Sequence, residues 1–306
     1  MSLMHAAREK STQAIVEAED LKLQEAVDTY GYECHGHACS IRVFPRSYRA
    51  DNLLRAHYYA KVPHAPGCDV SGEEEIRSKG KKRSVASELE TSPGLSPASL
   101  QLIDKRVVSG DLSIEGGDAK TSSGSRSSSA EAGGGQKPAG RRPANSIRPI
   151  CRAFLEFPFD RHLALQVGGV KTNTYQTVFK LLRSTGIERL PQQRIFYGEL
   201  SWTAAREDGD KFVIPLNAGT WIEKKLSPYN VVVEWKDWTQ TARSRLKSEL
   251  KIAREENMDA KKQNRLQRTF LFFLGQQNMD DSSQFTVNDL RLICTVHGEL
   301  EFPKTA

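Results

Sequence analysis

Residues 229–275 read YNVVVEWKDWTQTARSRLKSELKIAREENMDAKKQNRLQRTFLFFLG. Two apolar runs enclose a long polar segment with a helical rhythm. Tyr229 to Trp235 is strongly β-branched and aromatic, the composition that fits a pleated surface. Ala242, Leu246, Leu250 and Ala253 form one stripe, which predicts a helix over Thr239 to about Asn257. Thr269 to Gly275 (TFLFFLG) reads as a strand again. Working outward, Gln284 to Val296 is a further strand region on the C-terminal side. On the N-terminal side, Lys211 to Leu216 is a strand after an Asp208-Gly209 turn signal, and Arg194 to Trp202 alternates as a strand. Tyr175, Val178, Phe179 and Leu182 predict a helix over Thr174 to Ser184, ended near Gly186. The order is helix, three strands, helix, two strands. It predicts an α+β domain over residues 146–306 with a mostly antiparallel sheet.

Two architectures share that order. An OB-like barrel places its helix between the third and fourth strands and binds single strands or oligosaccharides. The PD-(D/E)xK nuclease core carries an acid-x-lysine pair at the end of its third strand, where Glu234-Trp235-Lys236 stands here. In that second reading Glu234 and a second carboxylate, Asp210 or Asp208, would hold Mg²⁺, and Lys236 would stabilise the charge developing on a phosphate. Glu234 and Lys236 share one strand face because strand side chains alternate. A cross-strand salt bridge explains the same pair without catalysis. Within the helix, Arg243, Lys247, Lys251 and Arg254 recur beside the apolar stripe, either as a track for phosphates or as a solvated face. Trp202, Trp221, Trp235 and Trp238 are candidate stacking platforms, though core positions are the expectation. Cys151 and Cys294 sit in apolar settings and are expected to be buried.

The whole chain has 306 residues, a formal charge of +6 and 38% hydrophobic residues, below ordinary soluble domains. Aromatic residues show why. None occurs between Tyr59 and Phe154, and residues 71–145 are rich in Ser, Gly, Glu and Lys. Such a segment cannot offset the entropy of ordering itself, so residues 71–145 are predicted to be a disordered linker. Leu100 to Val108 is a local run within it that could form a transient helix or strand.

Residues 34–68 read CHGHACSIRVFPRSYRADNLLRAHYYAKVPHAPGC. Cys34 and Cys39 form one short pair; His64 and Cys68, around a Pro66-Gly67 turn, form another. Two turns that close on one ion are what a tetrahedral zinc site needs, so Cys34, Cys39, His64 and Cys68 are the preferred ligands of a structural Zn²⁺. His57 is a further candidate, and His35 or His37 could replace Cys39. A folded unit of this size buries little core, so metal binding would supply much of its folding free energy. Residues 1–70 are therefore predicted to be a small β-rich zinc module.

AIVEAEDL, then the Cys34 and Cys39 knuckle, a strand, His57-Tyr58-Tyr59, His64 and Cys68 together resemble the N-terminal zinc-finger-like domain of the CoiA-like competence-protein family. The resemblance covers about 55 residues, a stretch typical of one small metal-stabilised module. It implies a bacterial protein, DNA as partner, and a nuclease-like domain beside the finger.

No apolar run approaches the length of a membrane helix, and the N-terminus lacks the apolar core of a secretory signal, so a cytoplasmic chain is expected. G-x-S-x-G, P-loop and G-x-G-x-x-G motifs are absent from the sequence. The expected function is a zinc-binding, nucleic-acid-associated protein whose two modules act through a flexible tether. The other readings are a Mg²⁺-dependent nuclease and a protein-interaction adaptor.

Overall fold

A computed structural model describes residues 3–49, 51–103 and 140–303. The N-terminal part is built from very short strands: β1 (Leu3–Met4), β2 (Ala6–Glu9), β3 (Ile15–Glu17), β4 (Tyr32–Glu33), β5 (Val43–Arg46) and β6 (His57–Ala60). They make two antiparallel three-stranded sheets, ordered β1-β6-β5 and β3-β2-β4. The core between them is small, with Met4, Val16, Leu21, Tyr32, Val43 and Tyr58 as its larger members.

The expectation of a linker from residue 71 does not hold for residues 71–103 and 140–145. Helices α1 (Glu73–Gly80) and α2 (Ala86–Thr91) form there, and β7 (Ser99–Leu100) pairs in parallel with β8 (Pro143–Ala144). Few apolar groups suffice because the segment completes a core made elsewhere. Val85, Leu89 and Leu95 are buried against Ile147, Ile150 and Phe157. Asp160 accepts bonds from the Ser84 hydroxyl and the Val85 N–H. Residues 104–139, including most of the Leu100 to Val108 run, lie outside the described residues.

The C-terminal part contains α3 (Ile147–Glu156), α4 (Tyr175–Val178), β9 (Phe179–Leu181), β10 (Arg194–Glu199), β11 (Arg206–Asp208), β12 (Lys211–Ile222), β13 (Lys225–Glu234), α5 (Gln240–Lys262), β14 (Arg268–Gln277), β15 (Gln284–Val287) and β16 (Ile293–Gly298). The sheet order is β11-β12-β13-β15-β14-β10-β9, with β16 also on β14. All these pairings are antiparallel except β9 with β10 and β13 with β15. A bridge from Leu200 to Leu216 returns the end of β10 to β12, so the pairings close as β10–β12–β13–β15–β14–β10. The tight β12–β13 turn uses Glu223 and Lys224, both at positive φ, as a two-residue hairpin with matching twist requires.

TFLFFLG is apolar at successive positions because β14 is covered on both faces. Leu271 and Phe273 point into the closed sheet with Phe196, Phe285 and Trp235. Phe270, Phe272 and Leu274 face the other way, onto α3 and Phe179. The expected helix over Thr174 to Ser184 shrinks to α4, since Phe179 to Leu181 pair with β10 instead. A capping box between Thr174 and Thr177 starts that short helix. Of the four Trp, Trp235 is in the core, whereas Trp202 and Trp221 are exposed, a difference from the expected burial. Cys151 and Cys294 are both buried.

The N-terminal part is docked on the closed sheet by ion pairs. On α5, Arg245 meets Asp20 at 3.1 Å and Glu256 meets Arg55 at 2.7 Å. On α3, Arg152 meets Glu17 at 2.9 Å. Beneath them lies a buried pair, Arg148 and Glu249, at 2.6 Å. Glu249 also accepts the Thr295 N–H at 2.6 Å, and Arg55 and Arg148 both donate to the Thr295 carbonyl. Burial alone would raise the Glu249 carboxyl, but Arg148 and then Arg245 outweigh it and hold it at about 2, against an ordinary 4.5. A depressed carboxylate stabilises the fold above its unfolded value and loses that contribution as pH falls through its folded value. Stability should therefore drop by about 3 kcal/mol between pH 4.5 and 2 through this group alone. Glu249→Gln should cost about 3–5 kcal/mol at neutral pH by stranding Arg148. Urea unfolding across that pH range checks both: the variant should show the shallower pH dependence, and an unchanged slope would contradict the assignment.

Candidate functional site

Cys34 follows β4, and the chain turns back at once, with the Cys34 N–H donating to Ile41 O at 2.9 Å. The four intervening residues fit because Ala38 takes a left-handed conformation, φ 50°. Gly36 has no alternative: a Cβ there would lie 2.6 Å from Cys68 Sγ and 2.8 Å from Asp69 Oδ1. The second half of the site is a turn at Pro66-Gly67, with Gly67 at φ 79° and the Cys68 N–H on Ala65 O. A 3-10 turn, Asp69–Gly72, follows and leads into α1.

The structure brings Cys34, Cys39, His64 and Cys68 together, with all four ligand atoms within 4.8 Å of one another. His64 Nδ1 is 3.4 Å from Cys34 Sγ, 3.7 Å from Cys39 Sγ and 3.5 Å from Cys68 Sγ. Cys34 and Cys68 sulfurs are 3.8 Å apart. Tetrahedral bonds of about 2.3 Å to sulfur and 2.0–2.1 Å to nitrogen require edges of about 3.8 Å and 3.5 Å. The donor set therefore fits a four-coordinate ion of that size.

The backbone is arranged for thiolates. Gly36 N–H donates to Cys34 Sγ at 3.3 Å, Ile41 and Ala65 N–H groups serve Cys39, and the Val70 N–H serves Cys68. Burial pushes the Cys34 and Cys68 thiols up; at Cys39 burial acts the same way, but its backbone donors together with the Cys68 and Cys34 thiols outweigh it and the thiol falls. A cation among the sulfurs would favour the thiolate at all three. Burial lowers His64, keeping its ring in the neutral form a ligand needs. This group can hold a metal ion.

The other histidines stand aside. His57 lies in β6 opposite Arg46, with Nδ1 against Arg55 O at 3.2 Å. His35 is buried, its Nδ1 3.0 Å from Ala6 O, and burial holds it at about 4. Its Nε2 lies 3.9 Å from Glu73. The His37 backbone N–H donates to Asp69 Oδ1 at 2.7 Å. Gly36 and Asp69 thus shape the knuckle, and sequence reading missed both. Gly36 was signalled only by a glycine lodged between ligand types.

A second feature lies on the same module. Tyr30, Phe44 and Tyr59 form a row, with centroids 6.1 Å and then 5.6 Å apart. Each ring carries a cation: Arg42 over Tyr30 at 5.3 Å, Lys61 over Phe44 at 4.6 Å and Arg46 over Tyr59 at 4.8 Å. Tyr30 and all three cations are exposed, while Phe44 and Tyr59 are half-buried. Alternate apolar positions in β5 and β6 concealed this row in the sequence.

The other expected sites are less assembled. Glu234, Lys236 and Asp210 are all exposed, and Glu234 stands opposite Lys211 in the ladder. The α5 cations are largely engaged locally. Arg243 donates to Trp235 O and Lys236 O, Lys247 pairs with Glu207 at 2.7 Å, and Arg254 donates to Thr203 O. Lys251 is exposed. No helix among the described residues is long and apolar enough to cross a membrane. Comparison with protein-family models, curated proteins and solved structures finds no match.

The purified chain should carry about one metal ion, as a single four-ligand site requires. Cys68→Ser should lose it, whereas His57→Ala should keep it. Elemental analysis of the two variants distinguishes this ligand set from one that uses His57.

Proposed function

We propose that the chain is a zinc-dependent, single-stranded nucleic-acid-binding protein of the cytoplasm. The observation that carries this reading is the row of three rings on the metal module, each with a cation beside it. Flat rings stack on bases of any sequence, and neighbouring cations attract the backbone. Zn²⁺ is the ion that a closed Cys₃His set suits best, and its role here is structural because the four ligands leave no open position. The closed pairing circuit supports the same reading. Its first three strands, a helix, and two strands with the third and fifth parallel correspond to an OB-like barrel, a scaffold used for single strands. The resemblance to the CoiA-like finger favours DNA over RNA. The α5 row plays a smaller part than its spacing suggested, since most of its cations already have partners.

Fluorescence anisotropy with a labelled single-stranded oligonucleotide tests the reading. Binding should weaken steadily with salt. Tyr59→Ala and Phe44→Ala should each lower affinity by about 5- to 150-fold, the range for lost base stacking. Arg46→Gln and Lys61→Gln, which remove the charge beside Tyr59 and Phe44 but leave the rings, should weaken binding and flatten its salt dependence. No binding at low salt, or binding indifferent to all four changes, would leave a protein-interaction adaptor as the better account.

A further inference from the structure

A groove of about 820 Å³ lies beside β9, the end strand of the sheet among the described residues and remote in sequence from the metal module. That volume is ordinary for a small-molecule site. Its walls combine rings and cations. Phe154, Phe179 and Tyr197 are buried in the floor, and Phe159 and Phe302 are exposed at the rim. Arg161, Lys180 and Arg183 supply positive charge, with the His162 ring beside them, against one carboxylate, Glu188, which lies 3.4 Å from Lys180.

Arg161 is the unusual member. It is 7% exposed, and its guanidinium lies 4.1 Å from the Phe154 ring centroid and 5.3 Å from that of Phe302. Nε donates to Phe154 O and Nη1 to Glu301 O, but Nη2 is buried without a partner. Among the described residues no carboxylate pairs with it. Burial draws it down to about 10, which still leaves it charged at neutral pH. The Glu301 carboxylate is within electrostatic reach but forms no ion pair with it, and a buried cation without a direct counter-charge is costly in a fold unless something brings one. The Tyr197 phenol, within electrostatic reach of Arg161 and Arg183, is the other polar group in the floor.

We propose that this groove binds a nucleoside phosphate, its base against the Phe302 and Phe159 rings and its phosphate among Arg183, Lys180 and Arg161. The ring faces select a flat body, and the excess of cations selects an anion joined to it. Neither feature alone explains the site: a purely apolar ligand would leave Arg161 unpaired, and a bare anion would leave two exposed phenyl rings uncovered. The site is separate from the ring row on the metal module and does not depend on its role.

Titration of the full chain with N-methylanthraniloyl-AMP, followed by competition, tests the proposal. AMP should displace the probe at least about tenfold more strongly than adenosine or inorganic phosphate. Arg183→Gln, at an exposed side chain, combined with Lys180→Gln, at a half-buried one paired with Glu188, should weaken binding by about tenfold or more. Phe302→Ala should weaken it with the charge intact, and Phe44→Ala on the metal module should leave it unchanged. The proposal is overturned if the chain binds no nucleotide at millimolar concentration, if adenosine or phosphate competes as well as AMP, or if the Arg183 and Lys180 double variant binds as the parent does.

Discussion

The carboxylate of Glu249 is the constraint on which the assembly of this molecule depends. It is buried on α5 and bound at once by Arg148 from α3 and by the Thr295 N–H from β16. The Thr295 carbonyl then receives Arg55 from the N-terminal part. One buried charge therefore ties together the helix that plugs the closed sheet, the helix that covers its outer face, a strand of the sheet and the metal module. Removing either member of a buried pair leaves the other uncompensated, which is why such a junction tolerates little change. Around it, the more exposed pairs Asp20–Arg245 and Glu17–Arg152 fix the orientation of the docked module.

The metal cluster extends the same logic. Residues 3–70 have strands of two to four residues and a small core, too little to hold two sheets in register without a further constraint. The four ligands come from the middle and the C-terminal end of the module and tie the two together. From the cluster, the His37 N–H on Asp69 and the contact of His35 with Glu73 lead into α1. Arg77 then joins Glu73 to Glu156 on α3. The ligand knuckle thereby reaches the main core by a path separate from the Glu249 junction. A ring row mounted on such a module has a fixed direction relative to the closed sheet, which a row on a tethered finger would lack.

Much of the ligand set and the strand–helix–strand centre was legible in the sequence. Cysteine and histidine spacing reports directly which side chains can converge, and the run TFLFFLG reports a doubly covered strand. Closure of the sheet was only one of two options, because it rests on the Leu200 and Leu216 bridge, a long-range contact without a local signal. The structure of residues 71–103 was not legible for a related reason. Val85, Leu89 and Leu95 are too sparse to make a core, yet they complete one supplied by α3. The α5 cations misled in the opposite direction: their spacing suggested a free basic track, whereas Glu207, Thr203 O and backbone carbonyls near Trp235 occupy most of them. The groove beside β9 had no sequence signature at all, since its members are scattered between Phe154 and Pro303.

The metal module and the closed sheet form one body rather than two tethered units. Electron–electron double resonance between non-cysteine spin labels at Ser40 and Ser244, both exposed, measures this directly. One body gives a single narrow distance distribution that is unchanged by salt up to the level that screens surface pairs. A broad distribution, of the breadth a flexible tether of some 75 residues allows, on the order of 45 Å, would contradict it.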